Sequence, residues 1–144
     1  MAAKKINHES LRSLDNILHK MDEEQARGNL DAYSTFDAEF HLMIGKIAGN
    51  RFLLKALRNI SGILVYQQQR ASRLPNIMKV VPPQHRQIFD ALRKGNPDIA
   101  SKLITKHLDD VITIWEPELK KNRSLNEQAA RLRPSLFVEK EVSI

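Results

Sequence analysis

Apolar residues recur along this chain at intervals of three and four, the period of a helix face, and no segment alternates as a half-buried strand would. Leu11, Leu14, Leu18 and Met21 make the first stripe. Asn7 or Ser10 is placed to cap it, and Gly28-Asn29 to end it. Tyr33, Phe36, Phe40, Ile44 and Ile47 make the second, on a helix expected from about Asp31 to Ala48 and closed by Gly49. Asn50 can cap a third helix running to about Ser72, with Phe52, Leu53, Leu57, Ile60 and Leu64 inward. Leu74 to Pro83 reads as a proline-punctuated loop, after which Pro82-Pro83 opens a helix bearing His85, Ile88, Phe89 and Leu92 and closed by Gly95. Asn96-Pro97 is a strong start for the next helix, with Ala100, Leu103, Ile104, His107, Val111 and Ile114 on one side. Pro117 is expected to end or kink it. A short helix over Leu125–Leu132 and an extended stretch SLFVEKEVSI complete the chain. The pattern predicts an all-α antiparallel bundle of five to six helices over residues 1–121, with a partly helical tail over 122–144.

Four polar residues interrupt these stripes. Asp37 and His41 lie four apart, so they share a helix face, and that face is the apolar one. His85 and His107 fall on the inward faces of two further helices. Buried ionisable groups cost several kcal/mol unless paired, on the order of the penalty for unpaired polar groups. A mutual hydrogen bond would serve, and so would a shared metal ion, since facing helices of bundles build such sites. The spacing alone leaves both open. His8 and His19 fall on a polar face and need no special role. The polar end of the third helix, YQQQRASR, reads either as a solvated terminus or as a set of groups leaning over a pocket, with Gln67, Arg70 and Arg73 the candidate ligand-binding residues.

Composition narrows the chemistry. The chain has 144 residues, 42% hydrophobic, enough for one domain with a proper core. It has no cysteine, so disulfides and thiolate ligands are excluded, and a metal would be held by imidazole and carboxylate. The 23 Lys and Arg against 17 Asp and Glu give a formal charge of +6, but they are scattered among acids, which suits a solvated surface better than a nucleic-acid stripe. No apolar run has the length of a membrane span and Met1 is not followed by a signal-peptide core, so a cytoplasmic protein is expected.

The segments DAEFH with IAGN, and QHRQIFDALRKGNPDIASKLITKHL, carry a resemblance. Asp37, Phe40, His41 and Asn50, then His85, Ile88, Ala91-Leu92, Gly95-Asn96, Ala100 and His107-Leu108, resemble the effector-sensing C-terminal (FCD) domain of GntR-type bacterial transcription regulators over roughly residues 9 to 120. Two positions depart from that family, Gln84 where Glu is usual and Asn96 where Asp is usual. The resemblance implies that Asp37, His41, His85 and His107 hold a divalent transition metal such as Zn, Ni or Mn, with open positions for water or a small carboxylate effector. It implies DNA binding only through a winged helix-turn-helix domain absent from this chain, and the lack of a long apolar run leads to the expectation of no membrane partner. It also implies that the chain starts at the second sensor helix, as a cut-down fragment or a naturally shortened sensor. The flank so exposed would be covered by the tail from Leu125 to Val142, by a second copy in a homodimer, or by a partner protein. Two other classes stay in view. A metal-dependent, hydrolase-like enzyme would need a general base, and Glu39 points off the stripe. A structural, interaction or DNA-binding helical module would use the basic surface. The reading favoured is a sensor and not an enzyme.

Overall fold

A computed structural model describes residues 7–132, which form six helices and no strand. They are α1 (His8–Ala26), α2 (Leu30–Ala48), α3 (Arg51–Asn59), α4 (Ser61–Ala71), α5 (Ile77–Arg93) and α6 (Pro97–Leu132). The extended segment expected over residues 135–144 lies outside the described residues. No described helix is long and apolar enough to cross a membrane.

Asparagine starts four of these helices by the same device, a side-chain oxygen that accepts an otherwise unpaired backbone N–H. Asn7 accepts from Ser10 at 2.8 Å, Asn29 from Ala32 at 3.3 Å, Asn50 from Leu53 at 3.0 Å and Asn96 from Ile99 at 3.1 Å. Gly49 closes α2 in the left-handed conformation, where a side chain would be strained.

The core lies between α1, α2 and α5. Leu14, Leu18 and Met21 meet Tyr33, Phe40 and Ile47 from α2 and Ile88, Phe89 and Leu92 from α5. Arg86 of α5 ties the outside of this layer to α1 through Asp15 at 3.2 Å and Asp22 at 2.5 Å. Across the other side of α2 pack α3 and α4, and α6 lies along α5. Two buried serines meet between α2 and the end of α4, the Ser34 and Ser72 hydroxyl oxygens 3.4 Å apart, with carbonyls of Leu30 and Gln69 as the nearer acceptors of their single O–H groups.

The structure departs from the sequence expectations at three places. The third helix is two, broken at Ile60, where the Ser61 hydroxyl takes the Arg58 carbonyl and the Ser61-Gly62 pair weakens the helical ladder. Phe52 is not inward but 89% exposed. Leu53 and Ile60, also expected inward, are 44% and 42% exposed, and it is Leu57 that turns toward α2, against Gly45, where an added Cβ would come within 2.9 Å of its Cδ1. The expected loop before His85 is helical from Ile77, begun by Asn76 in the left-handed conformation. Pro82 and Pro83 therefore sit inside α5, where burial of Ile77 and Val81 offsets two missing backbone bonds. One carbonyl so freed, that of Met78, accepts from the Gln25 amide across a long 3.5 Å contact. Finally, α6 continues past Pro117 and past Lys121 to Leu132. The carbonyl that Pro117 leaves unpaired belongs to exposed Thr113, where water can satisfy it.

The faces so assigned are tested by a pair of truncations. Leu14→Ala, in a fully buried position, is expected to cost about 2–5 kcal/mol in denaturant unfolding, whereas Phe52→Ala should stay within about 0.5 kcal/mol of the parent. A large loss from Phe52→Ala would mean that the face of α3 is misassigned.

Candidate metal centre

Asp37 and His41 project from one face of α2, His85 from the middle of α5 and His107 from α6. The three histidines converge so that one nitrogen from each lies within 4.8 Å of the others. Asp37 sits against the same cluster, its Oδ1 3.2 Å from His85 Nε2 and 3.5 Å from His41 Nε2. Their ring centroids are 4.7 to 5.4 Å apart, and Phe40 walls the cluster with its ring centroid 4.9 Å from that of His85. Burial is deep. His85 is 0% exposed, His107 3% and Asp37 7%.

The polar atoms of this cluster are poorly satisfied by one another. Asp37 Oδ1 and both ring nitrogens of His85 are buried with no hydrogen-bond partner among the described residues. A buried group left unpaired costs about 1–3 kcal/mol. Of these atoms, Asp37 Oδ1 and His85 Nε2, 3.2 Å apart and kept from solvent, are what an ion would satisfy. Nitrogens about 2.1 Å from one ion lie within about 4.2 Å of one another, so the triad needs only a slight contraction to share one. Three imidazoles and a carboxylate form a donor set suited to first-row divalent metals. The residues present therefore fit a metal ion.

Electrostatics prepare the donors. Burial lowers the His85 pKa to about 3, against the pull of Asp37, and lowers that of His107 to about 4, helped by His41. Both imidazoles are neutral at pH 7, as metal ligation requires. Burial would raise the Asp37 carboxyl, but the His41 imidazole, 3.5 Å from its Oδ1, together with His85 and His107, holds it below its usual value, so it remains ionised.

Beside the cluster opens a cavity of about 590 Å³ lined chiefly by apolar side chains, with Asp37, His41 and His107 in its wall. Gln67 lines it. Arg70 and Arg73 do not. Arg70 stacks over the rings of Trp115 and Tyr66, 5.7 and 6.0 Å from their centroids, and so backs the Trp115 wall from outside. Arg73 is exposed and paired with Asp31 at 2.7 Å. Two cavity groups are buried without a partner among the described residues, the Gln68 carbonyl oxygen, from the polar stretch already read as leaning over a pocket, and the Tyr33 hydroxyl, which the sequence reading placed only in an apolar stripe. The position of Tyr33 one turn before Asp37 on the same face was the available signal. Exposed Glu39 lies off the cluster.

Comparison with known proteins adds a separate line. The FCD domain family matches residues 1–110. The "Putative L-lactate dehydrogenase operon regulatory protein" of Escherichia coli (strain K12) is 31% identical over 87 residues, covering 58% of this chain and 34% of that protein. The "HTH-type transcriptional repressor NanR" of Cronobacter sakazakii (strain ATCC BAA-894) is 26% identical over 125 residues, covering 85% of this chain and 47% of that protein. The chain thus spans between a third and a half of the length of these relatives.

The depressed histidines make a pH prediction. An unfolded His binds its proton near pH 6.5, whereas His107 and His85 in the fold bind theirs only near pH 4 and 3. Between these limits the unfolded chain holds more protons, so stability falls as pH falls; the lowered Asp37 acts in the same sense, in its own lower window. Metal-free protein should lose up to about 1.4 kcal/mol per pH unit for each of the two histidines below pH 6. His107→Gln should reduce the slope by one such increment. Urea unfolding at pH 7, 6 and 5 measures this, and a slope unchanged in His107→Gln would contradict it.

Proposed function

Because the chain belongs to the FCD domain family of GntR-type transcription regulators, as a ligand-sensing regulatory domain, we propose that it senses a small carboxylate effector through a divalent metal held by Asp37, His41, His85 and His107. The observation that supports the metal is the convergence of three histidines from three helices, with Asp37 Oδ1 beside His41 and His85 and buried atoms unsatisfied, at the wall of a cavity large enough for a small organic acid. Bound there, the ion supplies a Lewis-acidic centre for carboxylate oxygens. The chain's own groups do the rest. The apolar walls exclude water and strengthen the charge–charge attraction, and the unpartnered Tyr33 hydroxyl and Gln68 oxygen offer one donor and one acceptor to a ligand that fills the space. Gln67 lies at the same wall, while Arg70 contributes through Trp115 and Arg73 from the rim only on rearrangement away from Asp31.

The family and the two relatives belong with regulation and not with catalysis. In this reading the domain works in the cytoplasm as a homodimer or with a partner protein. The exposed Ile63, Tyr66, Leu108 and Ile112 support such an association. DNA is contacted through a winged-helix domain and not by this bundle. Zn, Ni and Mn all suit the donor set.

The test is metal content beside thermal melting before and after a chelator, for the parent and His107→Ala. A stoichiometric divalent ion, lost in the variant, is expected, with a melting point that falls on chelation. At an ion concentration a hundred times Kd the metal should contribute about 2.7 kcal/mol. Carboxylate binding in calorimetry should then require the ion. Absence of metal, with no shift on adding Zn, Ni or Mn, would overturn the reading.

A further inference from the structure

His107 is held from behind by a short chain of side chains that the cluster itself does not use. Its Nδ1 lies 3.0 Å from Gln84 Oε1. The Gln84 amide nitrogen donates to the Asp110 carboxylate, which also accepts from the Lys106 ammonium one helical turn away. Taken singly, the orientation of an amide and the tautomer of an imidazole are both ambiguous. Taken in series they are not. An ionised carboxylate only accepts hydrogen bonds, and Asp110, paired with Lys106, is ionised. Gln84 must therefore turn its NH2 group toward Asp110. Its other end is then a carbonyl oxygen, which can only accept, so His107 Nδ1 must carry the hydrogen. A neutral imidazole has one N–H. Its Nε2 is left with a lone pair, and Nε2 is the nitrogen that remains for the cluster of His41, His85 and Asp37.

We propose that Gln84 and Asp110 are positioning residues that fix His107 as its Nδ1–H tautomer, with polarity set at the surface of α6 by the Lys106–Asp110 pair and relayed inward through the Gln84 amide. The use of Nε2 as a ligand rests on the metal-sensor reading, but the tautomer belongs to the metal-free protein as well. The two residues act as a unit for a specific reason. An amide at position 84 reads either way round, so it fixes His107 only while an anion at position 110 orients it. A carboxylate at position 84 would accept from Nδ1–H whichever partner stood at 110. Groups placed behind a histidine ligand in this manner are worth about 10–100-fold in metal affinity.

The decisive variants are Asp110→Asn and the double variant Gln84→Glu with Asp110→Asn, read in the metal-free protein by 15N–1H correlation of labelled histidines at pH 7, with His107→Gln assigning the signals. The parent is expected to show His107 as the Nδ1–H tautomer. Asp110→Asn, which lets the amide flip, should show a mixture of both tautomers, and the double variant should restore the first. Zn and Co titrations of the same proteins should follow, with Asp110→Asn weaker by about 10–100-fold and the double variant regaining the parent affinity. An Nε2–H tautomer in the parent, or Asp110→Asn with the parent's tautomer and affinity, would overturn the proposal. The parent measurement needs no variant to fold. A parent with the Nδ1–H tautomer that takes up neither metal would uphold the relay while sinking the metal reading.

Discussion

An aspartate and three histidines turned inward from three helices, in largely apolar surroundings where only His107 has a polar partner outside the cluster, set the central constraint on this fold. Burial of such groups is expensive, and hydrogen bonds among the four do not satisfy them, since Asp37 Oδ1 and both nitrogens of His85 have no partner among the described residues. Removing water has lowered the two deepest histidines until they are neutral, which reduces the cost without abolishing it. The rest of the bundle supplies the stabilisation that tolerates this arrangement. Most of it comes from the dense layer of α1, α2 and α5, where Leu14, Phe40, Ile88 and Leu92 are wholly enclosed.

The molecule is consequently uneven. On one face of α2 the side chains meet α1 and α5 in a closed core. On the other they face α4 and α6 across a cavity, and the stacked rings of His41 and His107, 5.3 Å apart, span from α2 to α6 beside it. Stability and ligand recognition are thus divided between two faces of one helix. Along α2, Phe40 and Ile47 serve the closed core and Asp37 and His41 the cavity, while Tyr33 borders both.

Much of this was legible in the sequence because the signals were local. The stripes of α1 and α2, the caps at Asn7, Asn50 and Asn96 and the inward faces of Asp37, His41, His85 and His107 depend on spacing within one helix, and the structure places them as read, whereas Asn29, read as the end of α1, also caps α2. The misses depend on what lies across space. Pro82 and Pro83 look like a helix start, and only the burial of Ile77 and Val81 with Gln25 on the Met78 carbonyl makes a longer helix tolerable. Phe52 and Leu53 are equally apolar, and only the space above Gly45 turns α3 so that Leu57 goes in and Phe52 out. Arg70 and Arg73 were legible as polar groups near a pocket, but their engagement by Trp115 and Asp31 joins segments more than 40 residues apart. The Gln84–Asp110 contact was invisible for the same reason. Neither residue suggests a partner until α5 and α6 are side by side.

The donor set also constrains how a signal could leave the site. Its members come from α2, α5 and α6, and among the described helices α5 and α6 pack closely while α2 and α6 meet chiefly at the cluster and cavity. An ion or ligand engaging all four donors must interact differently with conformations that differ in the separation of α2 from α6, and only a difference of that kind can shift a population. Closure of α6 on α2 is therefore the motion that such binding would favour most directly, whereas the α1–α2–α5 layer, already close-packed, has little room to respond. Ile112 and Leu108, exposed on α6, would move with it. A partner seated on that apolar surface would then report the state of the cavity without touching it.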